Sequence, residues 1–405
     1  MNMLSVAQAQ ALIAQAITPL PAQSVTIDDA LGRCLTDDVQ ASRTLPPWDN
    51  SAMDGYAVRA ADLAPGSATL SVVEEIHAGA LPRHRLEAGQ CARIMTGAPL
   101  PDGADAVVMQ ERSTRLDGGH VRLDDRPSPG QHVRRRGEES AQGALLLPRG
   151  TPLGIPELGR LLGQGLTHAN VHRAPRVAIA SSGDELTPVG QVAEGKLVDT
   201  NSPMVAALVR RALGVPTALG LAPDRLDAVQ ALFAQGLEHD VLITTAGVSV
   251  GERDYAREAL ERLGVSMSFW KVAMKPGKPL AFGSRGSTLV FGLPGNPVSA
   301  LVTFELFVRP ALLALQGHTD TMPRLTRGQL TQAVKKPAGL HHFVRATVRY
   351  EQGKALATPL GSQTSGVLAS ASTASALVSL PPDLVDPRAG AEVDLISVSW
   401  AARNP

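Results

Sequence analysis

The sequence predicts an α/β protein of several domains, built around a central doubly wound parallel sheet. Three observations carry that prediction. From Arg176 to Leu315, apolar runs of strand length alternate with amphipathic runs of helix length, the pattern that specifies parallel strands joined by covering helices. Between Pro46 and Arg136 the strand-like runs are short and broken by Gly, Pro and Asp, and short strand-like runs return from about residue 323 to 400. These read as β-rich modules on either side of the α/β region. At 405 residues the chain has room for roughly three domains of ordinary size.

In chain order, residues 1–45 read as a helix and then a strand, with Ser5 as N-cap and Val25-Thr26-Ile27 extended. Residues 46–136 form the β-rich module. The periodicity returns to helical in PELGRLLGQGL, so residues 137–172 are expected to pack with the N-terminal helix as a discontinuous linker domain. Residues 173–318 are the α/β domain: strands VAIA (177–180), ALGLAP, DVLITTAG (240–247) and TLVFG alternate with helices NSPMVAALVRRAL, LDAVQALFAQGL, DYAREALERLG and VSALVTFELFVRPALLAL. Residues 323–402, with FVRATVRY, ALVSL and EVDLISVSW, read as a small C-terminal β-barrel.

Charge and cysteine usage exclude whole classes of function. Lys+Arg and Asp+Glu are equal at 38 each, which argues against nucleic acid and against an anionic membrane surface as partners. Cys34 and Cys91 have no metal-type spacing, and such sparing use suits a reducing cytoplasm. No apolar run approaches the roughly 18 residues of a membrane helix.

The densest chemistry lies in WKVAMKPGKPLAFGSRGSTLVFGLPGNPVS, residues 270–299. Lys275 and Lys278 are each followed by proline, which fixes φ and removes a backbone donor, so KPGKP presents two ammonium groups stiffly towards one ligand. After a strand, Gly292-Leu293-Pro294-Gly295-Asn296-Pro297 opens a long helical run. Free N–H groups and the helix dipole at such a start favour phosphate or another oxyanion.

In doubly wound sheets ligands gather at the carboxyl ends of the strands. Here those ends carry Glu185, Asp224 and Asp254. Together they could hold Mg²⁺ against a ligand phosphate; singly, each is also what a helix cap or a solvated loop requires. The loop TTAGVSVG, with Gly247, Ser249 and Gly251, has the form of a phosphate-cradling turn, although one Gly-rich turn is a weak signal. In the first β module, DNSAMDGYA places more polar groups than a hairpin requires, Asp54 among them. RIMTGAP places Thr96 before a bend, and RRRGEE sets Arg134 beside acids that could equally pair with it.

With these motifs on the page, the chain resembles the molybdopterin molybdenumtransferase (MoeA) family, related to the C-terminal domain of gephyrin. The resemblance runs nearly end to end through DNSAMDGYA, RIMTGAP, RRRGEE, SSGDEL, DTN, TTAGVSVGERDY, WKVAMKPGKP, GLPGNPVSA and GSQTSGVLAS, in that order. It implies a four-domain subunit with a central domain of the molybdopterin-binding type, assembled as an elongated homodimer. The implied activity is insertion of molybdate into adenylated molybdopterin, with Mg²⁺-dependent release of AMP. The implied site comprises Asp54, Glu185, Asp224, Asp254, Lys275 and Lys278. Around these, Thr96, Arg134, Gly247, Ser249, Gly251, Lys271, Pro294, Gly295, Asn296 and Pro297 would contact substrate, and Arg345 and Ser365 would hold molybdate. Two positions depart from the family pattern: Glu139 stands where Asp is common, and Ala246 where Gly is common. The β module would complete the site of the partner subunit, the preceding adenylyltransferase and molybdoenzymes would be further partners, and the compartment would be the cytoplasm. A molybdopterin adenylyltransferase and a non-catalytic gephyrin-like scaffold are the readings that stay open beside it.

Overall fold

A computed structural model of the chain describes residues 3–245 and 255–401. Expectations placed on Ala246, Gly247, Ser249, Gly251 and Asp254 therefore lie outside the described residues. The chain divides into two compact units, the first comprising Met1–Thr36, Pro152–Gly154 and Ala169–Pro405, the second Asp37–Thr151 and Ile155–His168.

The first unit is organised by a six-stranded sheet in the order Val215–Ala222, Arg176–Ser182, Val241–Thr245, Thr288–Leu293, Ala281–Arg285, Ser266–Phe269. The first four strands are parallel. Arg176–Ser182, Val241–Thr245 and Thr288–Leu293 are buried along nearly their whole length, which is why VAIA and VLIT read as continuous apolar runs, whereas the edge strand Val215–Ala222 is largely exposed. Val177, Ile179 and Ile243 belong to one apolar cluster, with the helices Asn201–Arg211 and Pro297–Leu315. Ala178, Ala180 and Leu242 belong to the other, with Leu226–Gly236 and Tyr255–Arg262. Full burial of each larger aliphatic or aromatic side chain contributes about 1.5–3 kcal/mol, so these two faces are the main source of stability.

The sheet is mixed, where a wholly parallel one was expected. At one edge Ala281–Arg285 runs antiparallel to both Thr288–Leu293 and Ser266–Phe269, so it alone is reversed against the other strands. The cause is local: Arg285 pairs with Thr288 across the two-residue turn Gly286-Ser287, and Gly286 adopts φ 57°. A glycine-first turn of this kind folds the chain straight back as a hairpin.

Pro297–Leu315 is one continuous helix of 19 residues with a π-helical turn at Phe304–Val308. Its mean hydropathy of 1.8 makes it long and apolar enough to cross a membrane by composition, correcting the expectation that no segment would approach that length. Glu305 and Arg309 interrupt the apolar run in the sequence, and 89% of the helix is buried inside the protein. That burial marks a core helix.

Ser5 caps the helix Val6–Gln15 through a reciprocal capping box with Gln8. Its buried Val6, Ala9 and Ile13 join the core cluster of the α/β sheet. The helix Val6–Gln15 belongs to the first unit and Ile155–Gly163 to the second. What joins the early chain to residues 152–171 within the first unit is backbone pairing, Cys34 with Pro152 and Leu35 with Val171.

The first unit ends in the expected barrel. His341–Glu351, Lys354–Pro359, Leu325–Leu330, Glu392–Ser397 and Ala376–Leu380 pair in that order, and the last pairs back onto the first. Val344, Ala346, Val378 and Leu395 fill it. Closure leaves no exposed edge.

The second unit is all-β apart from 3₁₀ turns and the helix Ile155–Gly163. Its six-stranded sheet has the order Ala106–Met109, Gly55–Val58, Gln90–Ile94, Ala68–Ile76, His120–Leu123, Ser113–Leu116. Gly55 is required at its place, since a Cβ there would lie 2.0 Å from the Val108 carbonyl oxygen.

Candidate functional site

A cavity of about 950 Å³ lies in the first unit, walled by the strand-end loop at Glu185, the KPGKP segment, the GLPGNP turn and the barrel residues Gln363 to Ser365. All lining residues belong to that unit. Lys275 sits in the short strand Met274–Lys275, which runs parallel to His341 and His342 of the barrel. Lys278 follows after Pro276 and Gly277, and both lysines are exposed on the cavity wall. Gly277 has φ 103°, and a Cβ on it would come within 2.5 Å of Thr303 Cγ2. The turn is therefore clamped against the long helix, and the two ammonium groups enter one space. Lys271 is exposed but does not line the cavity.

The GLPGNP turn is braced from two sides. Asn201 Nδ2 donates to the Gly295 carbonyl at 2.7 Å, and Asn296 Nδ2 donates to Ser365 Oγ at 3.0 Å. Val298 N–H donates to the Ser365 carbonyl at 3.1 Å. Because Ser365 Oγ accepts from Asn296, its own hydroxyl hydrogen is left to donate elsewhere. Pro294, Gly295 and Asn296 line the cavity with Ser365, whereas Pro297 opens the helix behind them.

Arg345 is not on the wall. It is fully buried, at 0% exposure, and is absent from the cavity lining. Its Nε donates to Ser370 Oγ at 3.0 Å, and its Nη2 donates to the carbonyls of Ser362 and Thr364 at 3.0 and 3.2 Å. Its backbone exchanges two further bonds of 3.0 Å with the Gln363 side chain. The expected direct contact with an oxyanion is corrected accordingly: the guanidinium faces inward and fixes the backbone that carries Gln363, Thr364 and Ser365. Burial pushes its pKa down from the usual arginine value, the cost of holding that charge away from water.

The strand-end carboxylates divide. Glu185 lines the cavity, its carboxylate folded back over Gly183, where a Cβ would come within 2.5 Å of it. Asp224 lies at the next strand end, exposed, and does not line the cavity. There it exchanges hydrogen bonds with Asp184: the Asp184 N–H donates to Asp224 Oδ2 at 3.3 Å and the Asp224 N–H to Asp184 Oδ1 at 3.1 Å. Asp254 lies outside the described residues, among which no group of three or more His, Cys, Asp or Glu could hold a metal ion.

In the second unit Asp54 and Thr96 are joined directly. Thr96 donates to Asp54 Oδ1 from its backbone at 2.7 Å and from its hydroxyl at 2.8 Å, and these bonds hold the exposed carboxyl below its usual pKa. Arg134 borders a separate hollow of about 560 Å³ with Glu138 and Glu139. Of its neighbours, Arg135 pairs with Asp49 at 2.7 Å and the Arg136 N–H donates to the same carboxylate at 2.7 Å. Two of the three arginine positions therefore serve local structure.

Asn201, Gln363, Thr364 and Asp184 escaped sequence reasoning. Asn201 carried a signal in DTN, at the start of a helix after a strand end. Beneath it Asp199 accepts from Ser202 Oγ at 2.5 Å, Ser202 Oγ and Ser181 Oγ lie 2.8 Å apart, and Ser181 Oγ reaches Thr245 Oγ1 at 2.5 Å. This buried hydroxyl chain locks two strand ends together. Neither cysteine contributes a nucleophile: burial raises Cys34 to about 11, against a smaller opposing pull from Arg33, and raises Cys91 to about 12. The cavity thus offers two cations, hydrogen-bond donors and one carboxylate, suited to binding and polarising an anionic substrate without a protein nucleophile.

Comparisons with known proteins match the chain along nearly its whole length. Three family models match consecutive stretches: MoeA N-terminal region (domain I and II) over residues 4–165, probable molybdopterin binding domain over 178–314, and MoeA C-terminal region (domain IV) over 327–398. The chain is 38% identical over 351 residues to a molybdopterin molybdenumtransferase of Haemophilus influenzae, covering 85% of each chain. It is 35% identical over 406 residues to molybdopterin molybdenumtransferase 2 of Mycobacterium tuberculosis, covering 97% of this chain and 99% of that one. Among solved structures, it superposes on a molybdopterin biosynthesis moeA protein from Pyrococcus horikoshii with a TM-score of 0.84 at 28% identity, covering 98% of this chain and 100% of that one.

Proposed function

The chain belongs to the molybdopterin molybdenumtransferase family, and we propose that it forms molybdenum cofactor from adenylated molybdopterin and molybdate in the Lys275–Lys278 cavity, with release of AMP. Its activity is the insertion of molybdenum into molybdopterin. The observation that carries the choice of site is the convergence of two exposed lysines, the Ser365 hydroxyl and the start of a long helix on one cavity of about 950 Å³. That volume is at the upper end of ordinary small-molecule sites and suits a substrate with pterin and nucleotide halves.

In this reading Lys275 and Lys278 neutralise the phosphoanhydride and the molybdate dianion, and Ser365 donates to an oxyanion. An oxygen of water or of molybdate bonds one phosphorus of the anhydride as the bridging phosphorus–oxygen bond breaks; AMP leaves, and where water attacks, its proton passes to solvent. The dithiolene sulfurs of the pterin are the ligands of the inserted molybdenum, so no protein thiol is needed.

Mg²⁺ fits the donor set as an ion held through one or two carboxylates and the substrate's phosphates, rather than by a protein cage. Glu185 and Asp224 are the residues assigned to it, with Asp254 from the sequence motif and Asp184 as the partner that orients Asp224. When bound, the ion supplies charge neutralisation at the anhydride.

The same proposal includes a homodimer in which Asp54 and Thr96 of the partner subunit complete each cavity. It also includes a cytoplasmic location and exchange of substrate and product with the preceding adenylyltransferase and with molybdoenzymes. The free, buried Cys34 and Cys91 suit a reducing compartment.

The test is AMP release by the purified protein, followed against Mg²⁺ concentration for Glu185→Gln, Asp224→Asn and Asp184→Asn. Higher Mg²⁺ requirements are expected for the first two, and a smaller rise for the third. Superimposable titration curves for all of them would remove the carboxylates from the site.

A further inference from the structure

Asn201 is the first residue of the helix Asn201–Arg211, and its side chain reaches across to a turn 94 residues further on. It is 8% exposed and lines the cavity that Lys275 and Lys278 enter. Its Nδ2 donates to the Gly295 carbonyl at 2.7 Å, while its Oδ1 is buried with no hydrogen-bond partner among the described residues. An amide satisfied at only one end is a poor choice for stability alone, since a buried polar atom without a partner costs free energy. The bond to Gly295 is what this side chain provides. The helix start that carries it is fixed in turn, because the Ser202 N–H donates to Asp199 Oδ1 at 3.1 Å.

The effect falls on the next peptide unit. The bond between Gly295 and Asn296 is trans, so its N–H points opposite to its C=O. With the Gly295 carbonyl held on Asn201, the Asn296 N–H is turned the other way. Asn296 lines the same cavity, and its N–H has no hydrogen-bond partner among the described residues. The next two positions offer no substitute: Pro297 has no N–H, and the Val298 N–H is taken by the Ser365 carbonyl at 3.1 Å. At the start of a long helix, such an N–H is also the donor that the helix dipole favours for an anion.

We propose that Asn201 is a positioning residue, orienting the peptide between Gly295 and Asn296 so that the Asn296 N–H donates to an oxyanion of the substrates, a phosphate oxygen of the anhydride or an oxygen of molybdate. This assignment rests on the reading of the Lys275–Lys278 cavity as the reaction site.

Asn296 has φ −67°, the angle a proline ring imposes, so Asn296→Pro deletes this one N–H with the backbone kept. It also removes the side-chain bond to Ser365, which Asn296→Ala removes while keeping the N–H. AMP release by the full-length protein is expected to be at least tenfold slower in Asn296→Pro than in Asn296→Ala, as for the loss of one oxyanion donor. A raised molybdate concentration for half-maximal activity would assign the oxyanion to molybdate; a lower kcat or a higher KM for adenylated molybdopterin would assign it to the anhydride. Asn201→Leu, which keeps the branching but has no donor, should also lose at least tenfold. Its Tm should stay within about 3 °C of the unaltered protein, because Gly295 is exposed and water can take its carbonyl. Added to Asn296→Pro, it should slow the reaction no further, since both act through the same N–H. Equal rates in Asn296→Pro and Asn296→Ala, full activity in Asn201→Leu, or losses that multiply in the double variant would each overturn the assignment. Undiminished activity in Lys275→Ala and Lys278→Ala would instead remove the cavity reading, and this assignment with it.

Discussion

Replacing Arg345 with alanine separates a wall-bracing role from direct contact with substrate. The side chain is fully buried and holds the carbonyls of Ser362 and Thr364 together with the Ser370 hydroxyl. Truncation strands these acceptors at about 1–3 kcal/mol each and leaves a cavity where the stem packed, offset in part by release of a buried charge. A net loss of roughly 3–5 kcal/mol follows, which at about 2–4 °C per kcal/mol lowers Tm by roughly 10 °C. The same change loosens Gln363, Thr364 and Ser365, so the molybdate concentration for half-maximal activity should also rise. Arg345→Lys, able to reach one carbonyl but not both in a fork, should fall between. Thermal unfolding and a molybdate titration on the same preparations provide the two readouts. An unchanged Tm with a raised molybdate requirement would refute the bracing role and restore Arg345 as an oxyanion donor.

Lys275→Ala and Lys278→Ala should behave oppositely, each lowering molybdate-dependent activity at least tenfold, about 1.4 kcal/mol or more, while Tm stays within a degree or two, because both side chains are exposed. For Asp240, burial pushes the pKa up, but the bidentate pair with Arg173 at 2.6 Å and the Arg176 N–H outweigh it and hold the carboxyl below its usual range. A depressed folded-state pKa gives stability that is complete above the unfolded value of about 3.9 and is lost as pH falls through the folded value. Acid unfolding of Asp240→Asn should therefore show a shallower pH dependence below about pH 4, with lower stability at neutral pH; a parallel pair of curves would contradict this. Mixing Asp54→Ala with Lys275→Ala subunits should restore activity through heterodimers holding one unaltered site, and confirmed subunit exchange without recovery would end the shared-site proposal.

Much of this architecture was legible because binary patterning and punctuation act locally. VAIA and VLIT could only be strands covered on both faces, and Ser5 with Gln8 spelled the first cap. GLPGNP announced a strand-to-helix turn, and KPGKP the neighbouring cations. The edge hairpin went unread although Gly286-Ser287 signals one, because the strand after KPGKP was placed without its antiparallel partner Ala281–Arg285. Arg345 shows the deeper limit. Its place in a strand is visible in FVRATVRY, but whether its side chain faces the cavity or the barrel interior depends on the return of residues 376–380 and 392–397 to close the barrel. Gln363 and Thr364 were illegible for the same reason, since they reach the wall only through contacts far apart in sequence. Asp184 was passed over beside Glu185 because both are strand-end acids, and only the exchange with Asp224 tells them apart.

The most direct test is to supply purified protein with adenylated molybdopterin, molybdate and Mg²⁺, and to measure AMP and molybdenum cofactor together, the latter by reconstitution of an apo-molybdoenzyme. The account predicts that both products appear in equal amounts, that both depend on Mg²⁺, and that both fall at least tenfold in Lys275→Ala and Lys278→Ala. Cofactor formed at an undiminished rate by the two lysine variants would contradict the assignment of the site to this cavity.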